Sequence, residues 1–214
     1  MTHFADNLFS IAFPDDVDIA FERKLSCQCT DGLIGIDEAG RGPWAGPVVV
    51  AAAKLDYDNM PEGLNDSKKL SEKKRDALYG EILEKAQVSV CVQSPSTIDS
   101  LNIRAATLQG MSRCARFLAA PASLYFIDGK DVPPHLPGEG QALIKGDGRC
   151  LAIAAASIVA KVTRDRIMMR LDKDYPQYGF AKHKGYGTKA HREALERFGI
   201  SPHHRLSFRP MKDM

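Results

Sequence analysis

Three acidic sites in this sequence share one feature: each follows an apolar run and precedes a glycine or a glycine-rich loop. They are the pair Asp37-Glu38, Asp128 and Asp147. In α/β sheets, ligands bind at the edge where strands end, because loops there present polar groups above a rigid platform. Carboxylates that converge at such an edge repel one another and need a cation, and Mg²⁺ prefers oxygen ligands. The pattern therefore indicates a divalent-cation site.

A simpler explanation is that acidic residues end strands because solvent lies there, and the chain has 27 acidic residues. A denser cluster, Asp15-Asp16-x-Asp18, follows no strand and is interpreted as solvated surface. Adjacent strand residues point to opposite faces, so Asp37 and Glu38 converge only if the chain twists or bulges. Gly35 and Gly40 would permit a twist or a bulge there.

A glycine-rich loop, Gly40-Arg41-Gly42-Pro43, begins two residues after the carboxylate pair. Without side chains, a backbone can approach a ligand closely and offer its N–H groups. A Gly-x-Gly pattern alone indicates no more than a tight turn. Its position beside the carboxylates favours a role in ligand binding.

Strands and helices alternate in the sequence and must position these residues. The pattern predicts strands at 33–36, 48–55, 88–92, 124–127 and 142–144, and helices from 71, over 103–118, over 151–171 and over 188–199. Valines alternate with polar residues over 88–93, which predicts a half-buried strand. Ser96-x-x-Asp99 resembles a capping box. The face expected to be buried on the next helix contains Ile103, Thr107, Gly110, Met111, Cys114, Phe117 and Leu118. This order predicts an α/β fold with a mixed sheet.

The composition is that of an ordinary globular protein, with 44% apolar and 26% charged residues in 214. The net charge of +2 is too small to indicate a nucleic-acid partner by itself. Five cysteines form no disulfide framework, so we expect reduced thiols and a cytoplasmic location. We find no secretory signal and expect no membrane association. Residues 1–30 are interpreted as an extension of unknown role, whose Phe4, Phe9 and Phe13 pack onto the core of a domain at 31–214.

Six segments, in order, resemble one known family. They are 35–43 (GIDEAGRGP), 64–71 (LNDSKKLS), 127–130 (IDGK), 145–147 (KGD), 155–165 (AASIVAKVTRD) and 183–188 (HKGYGT). The sequence is similar to the type 2 ribonucleases H, in particular the bacterial ribonuclease HII group. The resemblance implies a ribonuclease H-like five-stranded sheet flanked by helices, with a C-terminal helical portion. It also implies hydrolysis of the RNA strand of RNA–DNA hybrids and incision 5′ to single ribonucleotides in duplex DNA.

The resemblance assigns roles to single residues. Asp37, Glu38, Asp128 and Asp147 would be the catalytic carboxylates. The first three would hold two divalent ions, Mg²⁺ or Mn²⁺, at the scissile phosphate, and Asp147 could act through a water.

The resemblance also implies a set of substrate contacts. The loop at 40–42 would read the ribose 2′-hydroxyl, and Tyr186 would stack on the sugar at the RNA–DNA junction. Ser157, Lys161 and Arg164 would form a phosphate-binding stripe on the helix face opposite the apolar one. Without the resemblance, that stripe is a solvated helix face and Tyr186 a half-buried loop aromatic. The full set of expected contacts is Gly40, Arg41, Gly42, Asn65, Ser67, Lys68, Lys69, Ser157, Lys161, Arg164 and Tyr186.

Other functions fit the sequence less well. A non-catalytic binding module would not need four carboxylates. The related ribonucleases HIII have a larger N-terminal domain and typically lack the arginine of the glycine loop. A magnesium-dependent phosphatase would usually show a phosphate-cradling loop or a nucleophile, and none is found. A zinc site from Cys27, Cys29, His203 and His204 has the wrong spacing. Residues 207–214 contain no recognisable sliding-clamp peptide, and we expect a monomer.

Overall fold

The apolar runs of the sequence form one mixed sheet in the computed structural model, which describes residues 11–29, 31–120 and 123–214. The strands are β1 (Leu33–Ala39), β2 (Val48–Leu55), β3 (Ala86–Gln93), β4 (Leu124–Asp128) and β5 (Glu139–Leu143). Their order across the sheet is β3-β2-β1-β4-β5. Neighbours are antiparallel from β3 to β1 and parallel from β1 to β5, so the predicted mixed five-stranded sheet is confirmed.

Helices cover both faces of the sheet, and further helices form the C-terminal portion of the chain. They are α1 (Ile19–Gln28), α2 (Glu72–Lys85), α3 (Pro95–Leu101), α4 (Ile103–Phe117), α5 (Leu151–Asp174), α6 (Phe180–His183) and α7 (Lys189–Phe198). Helix α5 packs on β1 and β2, and α4 packs on β2 and β3 from the other face. Met168, Tyr178, Phe180 and Leu195 form a separate cluster in the C-terminal portion.

Polar side chains cap the start of most of the helices. The Ser71 hydroxyl accepts the Lys74 N–H at the start of α2, and Thr188 accepts the His191 N–H at the start of α7. The capping box predicted at 96–99 is wrong, since Ser94 caps α3 instead. Asn102, with a φ of +68°, then separates α3 from α4.

Strand β3 buries the face opposite to the one that its valines suggest. Val90 and Val92 are 41% and 48% exposed, whereas Ser89 and Gln93 are buried. The Gln93 amide donates to the Ala106 carbonyl of α4 at 3.0 Å, so a hydrogen bond takes the place of apolar packing. Because β3 is an edge strand, its valine face has less cover than the alternation suggests.

The segment before β1 packs onto the core. The Phe13 ring meets the Phe126 ring of β4 edge to face, with centroids 4.7 Å apart. The Arg149 guanidinium donates to the Phe13 and Pro14 carbonyls at 2.7 and 2.8 Å. The acidic cluster at 15–18 is exposed, as expected, and Asp18 caps α1. Phe4 and Phe9 lie outside the described residues. No described helix is long and apolar enough to cross a membrane.

Glu22 of α1 is fully buried at the start of α5. Its carboxylate accepts the Leu151 N–H at 2.6 Å and the Ala152 N–H at 3.4 Å, and the Tyr57 hydroxyl donates to it at 2.9 Å. Burial raises the pKa of Glu22, while these hydrogen bonds oppose the rise. A carboxylate at a helix N-terminus satisfies backbone N–H groups that have no partner within the helix.

We therefore expect Glu22→Ala to lower the free energy of unfolding by about 3 kcal/mol, because it leaves buried donors unpaired and opens a cavity. Glu22→Gln keeps one acceptor oxygen and should cost less. Urea denaturation monitored by circular dichroism measures both. Equal stability of Glu22→Ala and the wild type would show that this contact does not stabilise the fold.

Candidate active site

Asp37 and Glu38 lie at the carboxyl end of β1, on opposite faces of the sheet. The pairing of β1 with β2 runs without a bulge through Asp37↔Ala51 and Glu38↔Val50. Of the twist or bulge that the sequence allowed here, the bulge is therefore excluded. The two carboxylates still share one groove, because both lie at the sheet edge where β1 gives way to the loop at 40–47.

Asp37 is held on the α5 side of the sheet. Its carboxylate accepts the Glu38 N–H at 2.7 Å and a hydrogen bond from the Ser157 hydroxyl of α5. Ser157 in turn lies 2.9 Å from the Ser67 hydroxyl, which donates because the Ser157 proton is engaged. Burial, followed by the charges of Glu38 and Asp128, raises the pKa of Asp37 well above its usual value.

Glu38 has one partnered and one unpartnered oxygen. The Arg41 guanidinium donates to Oε1 at 3.3 Å, while Oε2 is buried without a hydrogen-bond partner. Burial raises the pKa of Glu38 and Asp128 adds to the rise, although Arg41 opposes it. A buried carboxylate oxygen without a donor is energetically costly and is the atom that a cation would satisfy.

Asp128 and Asp147 approach the same edge from β4 and from the turn at 146–148. Asp128 ends β4 and accepts the Gly146 N–H at 2.7 Å, which joins the two acidic positions. Burial and the Asp147 charge raise the pKa of Asp128. Asp147 is buried, and its carboxylate lies 3.3 Å from the Lys68 ammonium. Lys68 therefore neutralises part of the negative charge at this edge.

One groove collects most of the residues that the sequence singled out. It is lined by Asp37, Glu38, Gly40, Arg41, Gly42, Ser67, Lys68, Asp128, Ser157, Lys161, Arg164 and Tyr186. Asn65, Lys69 and Asp147 are not part of this lining. The Asn65 side-chain oxygen accepts the Asp66 N–H. Asp147 contacts Lys68, which does line the groove.

The helix stripe predicted on α5 differs from expectation. Ser157 and Arg164 are 4% and 1% exposed, so they do not lie on a solvated face. Ser157 contacts Asp37, and Arg164 donates to the Pro47 and Ala45 carbonyls at 3.0 and 3.1 Å. The spacing was misleading because α5 is packed on most of its circumference as it crosses the sheet.

The glycine loop and Tyr186 are joined through their backbones. The Trp44 and Ala45 N–H groups both donate to the Gly185 carbonyl, at 2.8 and 3.3 Å. Tyr186 is 49% exposed, and a Cβ built on Gly42 would lie 3.8 Å from its ring. The tyrosine ring and the glycine loop therefore border one surface of the groove.

The carboxylates fit a hard divalent cation by their chemistry. The candidate ligands Asp37, Glu38 and Asp128 all offer carboxylate oxygens, and the orphaned Oε2 of Glu38 lacks a positive partner. In the described part of the chain, no three acidic, histidine or cysteine side chains are already gathered around one point at metal-ligand distances. Backbone N–H groups and Lys68 engage the neighbouring carboxylates, so a bound cation would compete with these contacts. Cys27, Cys29, His203 and His204, all among the described residues, form no zinc site either.

Sequence reasoning missed the residues that hold the glycine loop from below. Arg205 is completely buried and donates to three carbonyls of the loop, and His204 bonds to His191 at 2.9 Å. Both lie outside the six segments that carry the family resemblance. A polar His-His-Arg triplet near the C-terminus gave no periodic or spacing signal that would predict burial.

A mixed sheet with carboxylates gathered at the end of its central strand defines a nuclease of the ribonuclease H class. Residues 34–211 match the family described as Ribonuclease HII. The chain belongs to the ribonuclease HII family, and it is a metal-dependent hydrolytic endonuclease of RNA–DNA hybrids.

Similar proteins agree with this assignment. The ribonuclease HII of Shewanella loihica is 59% identical over 193 residues, which are 89% of this chain and 93% of the relative. That of Magnetococcus marinus is 54% identical over 201 residues, 93% of this chain and 94% of the relative. The ribonuclease H2 of Pyrococcus horikoshii superposes with a TM-score of 0.72 at 26% identity, over 85% of this chain and 95% of that structure.

Proposed function

We propose that this enzyme hydrolyses the RNA strand of RNA–DNA hybrids and also incises duplex DNA on the 5′ side of a single embedded ribonucleotide. The products would be a 3′-hydroxyl and a 5′-phosphate. One observation carries the proposal: acidic side chains, a glycine loop and an exposed tyrosine line the same groove. The acidic side chains suit phosphodiester hydrolysis, and the glycine loop and the tyrosine suit recognition of a sugar.

Asp37, Glu38 and Asp128 would hold the divalent ions, and Asp147 would support them from the turn beside Asp128. When bound, Mg²⁺ or Mn²⁺ supplies an activated water and neutralises charge that develops on the phosphate. Three observations support the ligand set: the unpartnered Oε2 of Glu38, the raised pKa values of the three carboxyls, and their place at one sheet edge. A ribonuclease HIII structure with the same fold is described in complex with Mn²⁺.

The ribose would be read by the backbone of the glycine loop. The N–H groups of Arg41 and Gly42 donate to no other group in the described residues. Free N–H groups on a loop without bulky side chains can reach the 2′-hydroxyl, the one group that distinguishes RNA from DNA at a given nucleotide. The Tyr186 ring, beside Gly42, would pack on the adjoining sugar.

Phosphates flanking the reacting one would meet lysines around the groove. Lys68 has an 80% exposed side chain at the groove wall, and Lys161 of α5 lines the same groove while pairing with Asp165 at 2.9 Å. Asn65 and Lys69 would extend this contact along the polar loop. We assign Ser67 and Ser157 to orienting Asp37, because the two hydroxyls are buried and bonded in series toward it.

We further propose a monomer acting in the cytoplasm. All five cysteines are free thiols, which suits a reducing compartment. A ribonuclease HII structure from Archaeoglobus fulgidus, 29% identical with a TM-score of 0.71 over 85% of this chain and 99% of that one, is described in complex with PCNA. In this chain, residues 207–214 contain no recognisable sliding-clamp peptide.

The proposal is tested with a DNA duplex that contains one internal ribonucleotide, incubated with Mg²⁺ or Mn²⁺ and with EDTA as control. We expect incision on the 5′ side of the ribonucleotide, and no incision in EDTA. Cleavage of a continuous hybrid alone would keep the carboxylate site and exclude ribonucleotide recognition by the loop. The same duplex without the ribonucleotide is the matched control and should remain intact.

A further inference from the structure

Two buried arginines hold the loop at 40–47, which includes the glycine-rich segment 40–43, from its inner side. Arg205 donates to the Gly46 carbonyl at 3.0 Å, to Arg41 at 2.9 Å and to Gly40 at 2.5 Å. Arg164 holds two further carbonyls of the same loop, as described above. Their exposures are 0% and 1%. Five carbonyls between residues 40 and 47 thus point toward two guanidinium groups.

Among the described residues, neither Arg164 nor Arg205 forms an ion pair with a carboxylate. Burial and the Arg164 charge lower the pKa of Arg205, with Asp99 and Tyr186 opposing the change. A buried cation is costly unless its donors are satisfied, and here backbone carbonyls satisfy them. The loop and the two arginines therefore depend on one another for their arrangement.

The hydrogen bonds of Arg205 fix the direction of two peptide groups. In a trans peptide, the carbonyl and the following N–H point in opposite directions. When Arg205 holds the carbonyls of Gly40 and Arg41, the N–H groups of Arg41 and Gly42 face away from it. These are the two N–H groups that have no other acceptor. Arg205 thus turns them away from the protein interior, on the exposed part of the loop that lines the groove.

The same C-terminal segment also holds Tyr186. The Ser201 N–H donates to Nδ1 of His204, so Nε2 of His204 carries the proton and donates to Nε2 of His191 at 2.9 Å. Nδ1 of His191 then donates to the Tyr186 carbonyl at 2.9 Å. Adjacent residues, His204 and Arg205, therefore position the two features that border the sugar-binding side of the groove.

We infer that Arg205 is a positioning residue for recognition of the ribonucleotide, acting through the carbonyls of Gly40 and Arg41. The inference rests on the proposed ribose-reading role of the loop. Arg205 itself is completely buried beneath that loop, out of reach of a bound substrate. The arrangement requires a planar group with several donors, because one ammonium cannot reach three separated carbonyls.

The test compares Arg205→Lys and Arg205→Gln with the wild type. The readout is the ratio of two Kd values, for one duplex with and without a single ribonucleotide, measured with Ca²⁺ replacing Mg²⁺ to suppress cleavage. We expect this ratio, taken as the Kd without the ribonucleotide divided by the Kd with it, to fall about 10-fold in both variants. Partial unfolding changes both Kd values by the same factor, so the ratio reports positioning and is insensitive to stability.

The loop also contains its own spectroscopic reporter. Trp44 is the single tryptophan of the chain, and its carbonyl accepts a hydrogen bond from the backbone N–H of Arg205 at 2.8 Å. Its ring packs against His191, with centroids 5.5 Å apart. We expect the Trp44 emission maximum of folded Arg205→Gln to shift. The matched control is Arg209→Gln, since that arginine is four residues away, is 83% exposed and pairs only with Asp213.

The outcomes are distinct. A wild type that binds both duplexes equally overturns the proposed reading of ribose, and the role of Arg205 with it. A wild type that discriminates, together with Arg205 variants that keep the same ratio and the same Trp44 emission, overturns the inference alone. A change in Arg209→Gln equal to that in Arg205→Gln also overturns it, because the effect would then not depend on the buried contacts.

Discussion

Replacing Asp37 by Asn is expected to abolish cleavage while leaving folding and substrate binding intact. Asn is nearly the same size and can still accept the Glu38 N–H, but it removes one negative charge from the site. A metal site contributes several kcal/mol to stabilising the transition state, so we expect a loss of about 10³-fold or more in kcat. The measurement is single-turnover cleavage of the ribonucleotide-containing duplex with Mg²⁺.

The stability of the same variant gives an independent check. Burial and like charges raise the folded-state pKa of Asp37, so its ionised form destabilises the cation-free protein. This cost is absent below the unfolded pKa of about 4 and appears as the pH rises through the raised folded pKa. At pH 7 without divalent cations, Asp37→Asn should therefore be at least as stable as the wild type.

The control for Asp37 is Asp15→Asn, in the exposed acidic cluster that no strand precedes. It should keep full activity. Added Mg²⁺ should raise the Tm of the wild type and of Asp15→Asn more than that of Asp37→Asn. Activity of Asp37→Asn above a hundredth of the wild type would remove Asp37 from the metal site.

The sheet and the carboxylate positions could be predicted because they depend on local patterns. Apolar runs ended by acidic residues and glycines predicted β1 and β4, and the structure places Asp37 and Asp128 at their ends. The Ser71 and Thr188 caps were predictable for the same reason. Each of these signals is contained within a few consecutive residues.

The sequence predicts burial poorly where contacts between residues distant in sequence determine it. Nothing local shows that β3 is an edge strand, so the alternation predicted a half-buried strand but not which of its faces is buried. Spacing on α5 cannot reveal that Arg164 is covered by the loop at 40–47. Arg205 reaches Gly40 across 165 positions in sequence, and only the folded chain brings them together.

Gly35→Ala is expected to have the largest effect on stability. The sequence suggested that Gly35 permits a bulge, but its strand is regular and the glycine allows α5 to cross directly over β1. An added Cβ would lie 2.1 Å from the Ala152 carbonyl carbon and 2.2 Å from the Ile153 nitrogen. Both are backbone atoms, so the helix must move away from the sheet. We expect the free energy of unfolding to fall by about 3 kcal/mol or more.

Gly80→Ala is the matched control for this substitution. Gly80 lies within α2, and an added Cβ there would meet nothing within 4 Å, so helix propensity should make the variant about 1 kcal/mol more stable. Urea denaturation should give a lower free energy of unfolding for Gly35→Ala and a higher one for Gly80→Ala. That outcome would confirm that the close approach of α5, and not the loss of a glycine, destabilises Gly35→Ala. A cost below about 1 kcal/mol for Gly35→Ala would instead mean that α5 can move away from β1 at little cost. Because α5 carries Ser157 and β1 carries Asp37, activity on the hybrid should then fall in step with that displacement.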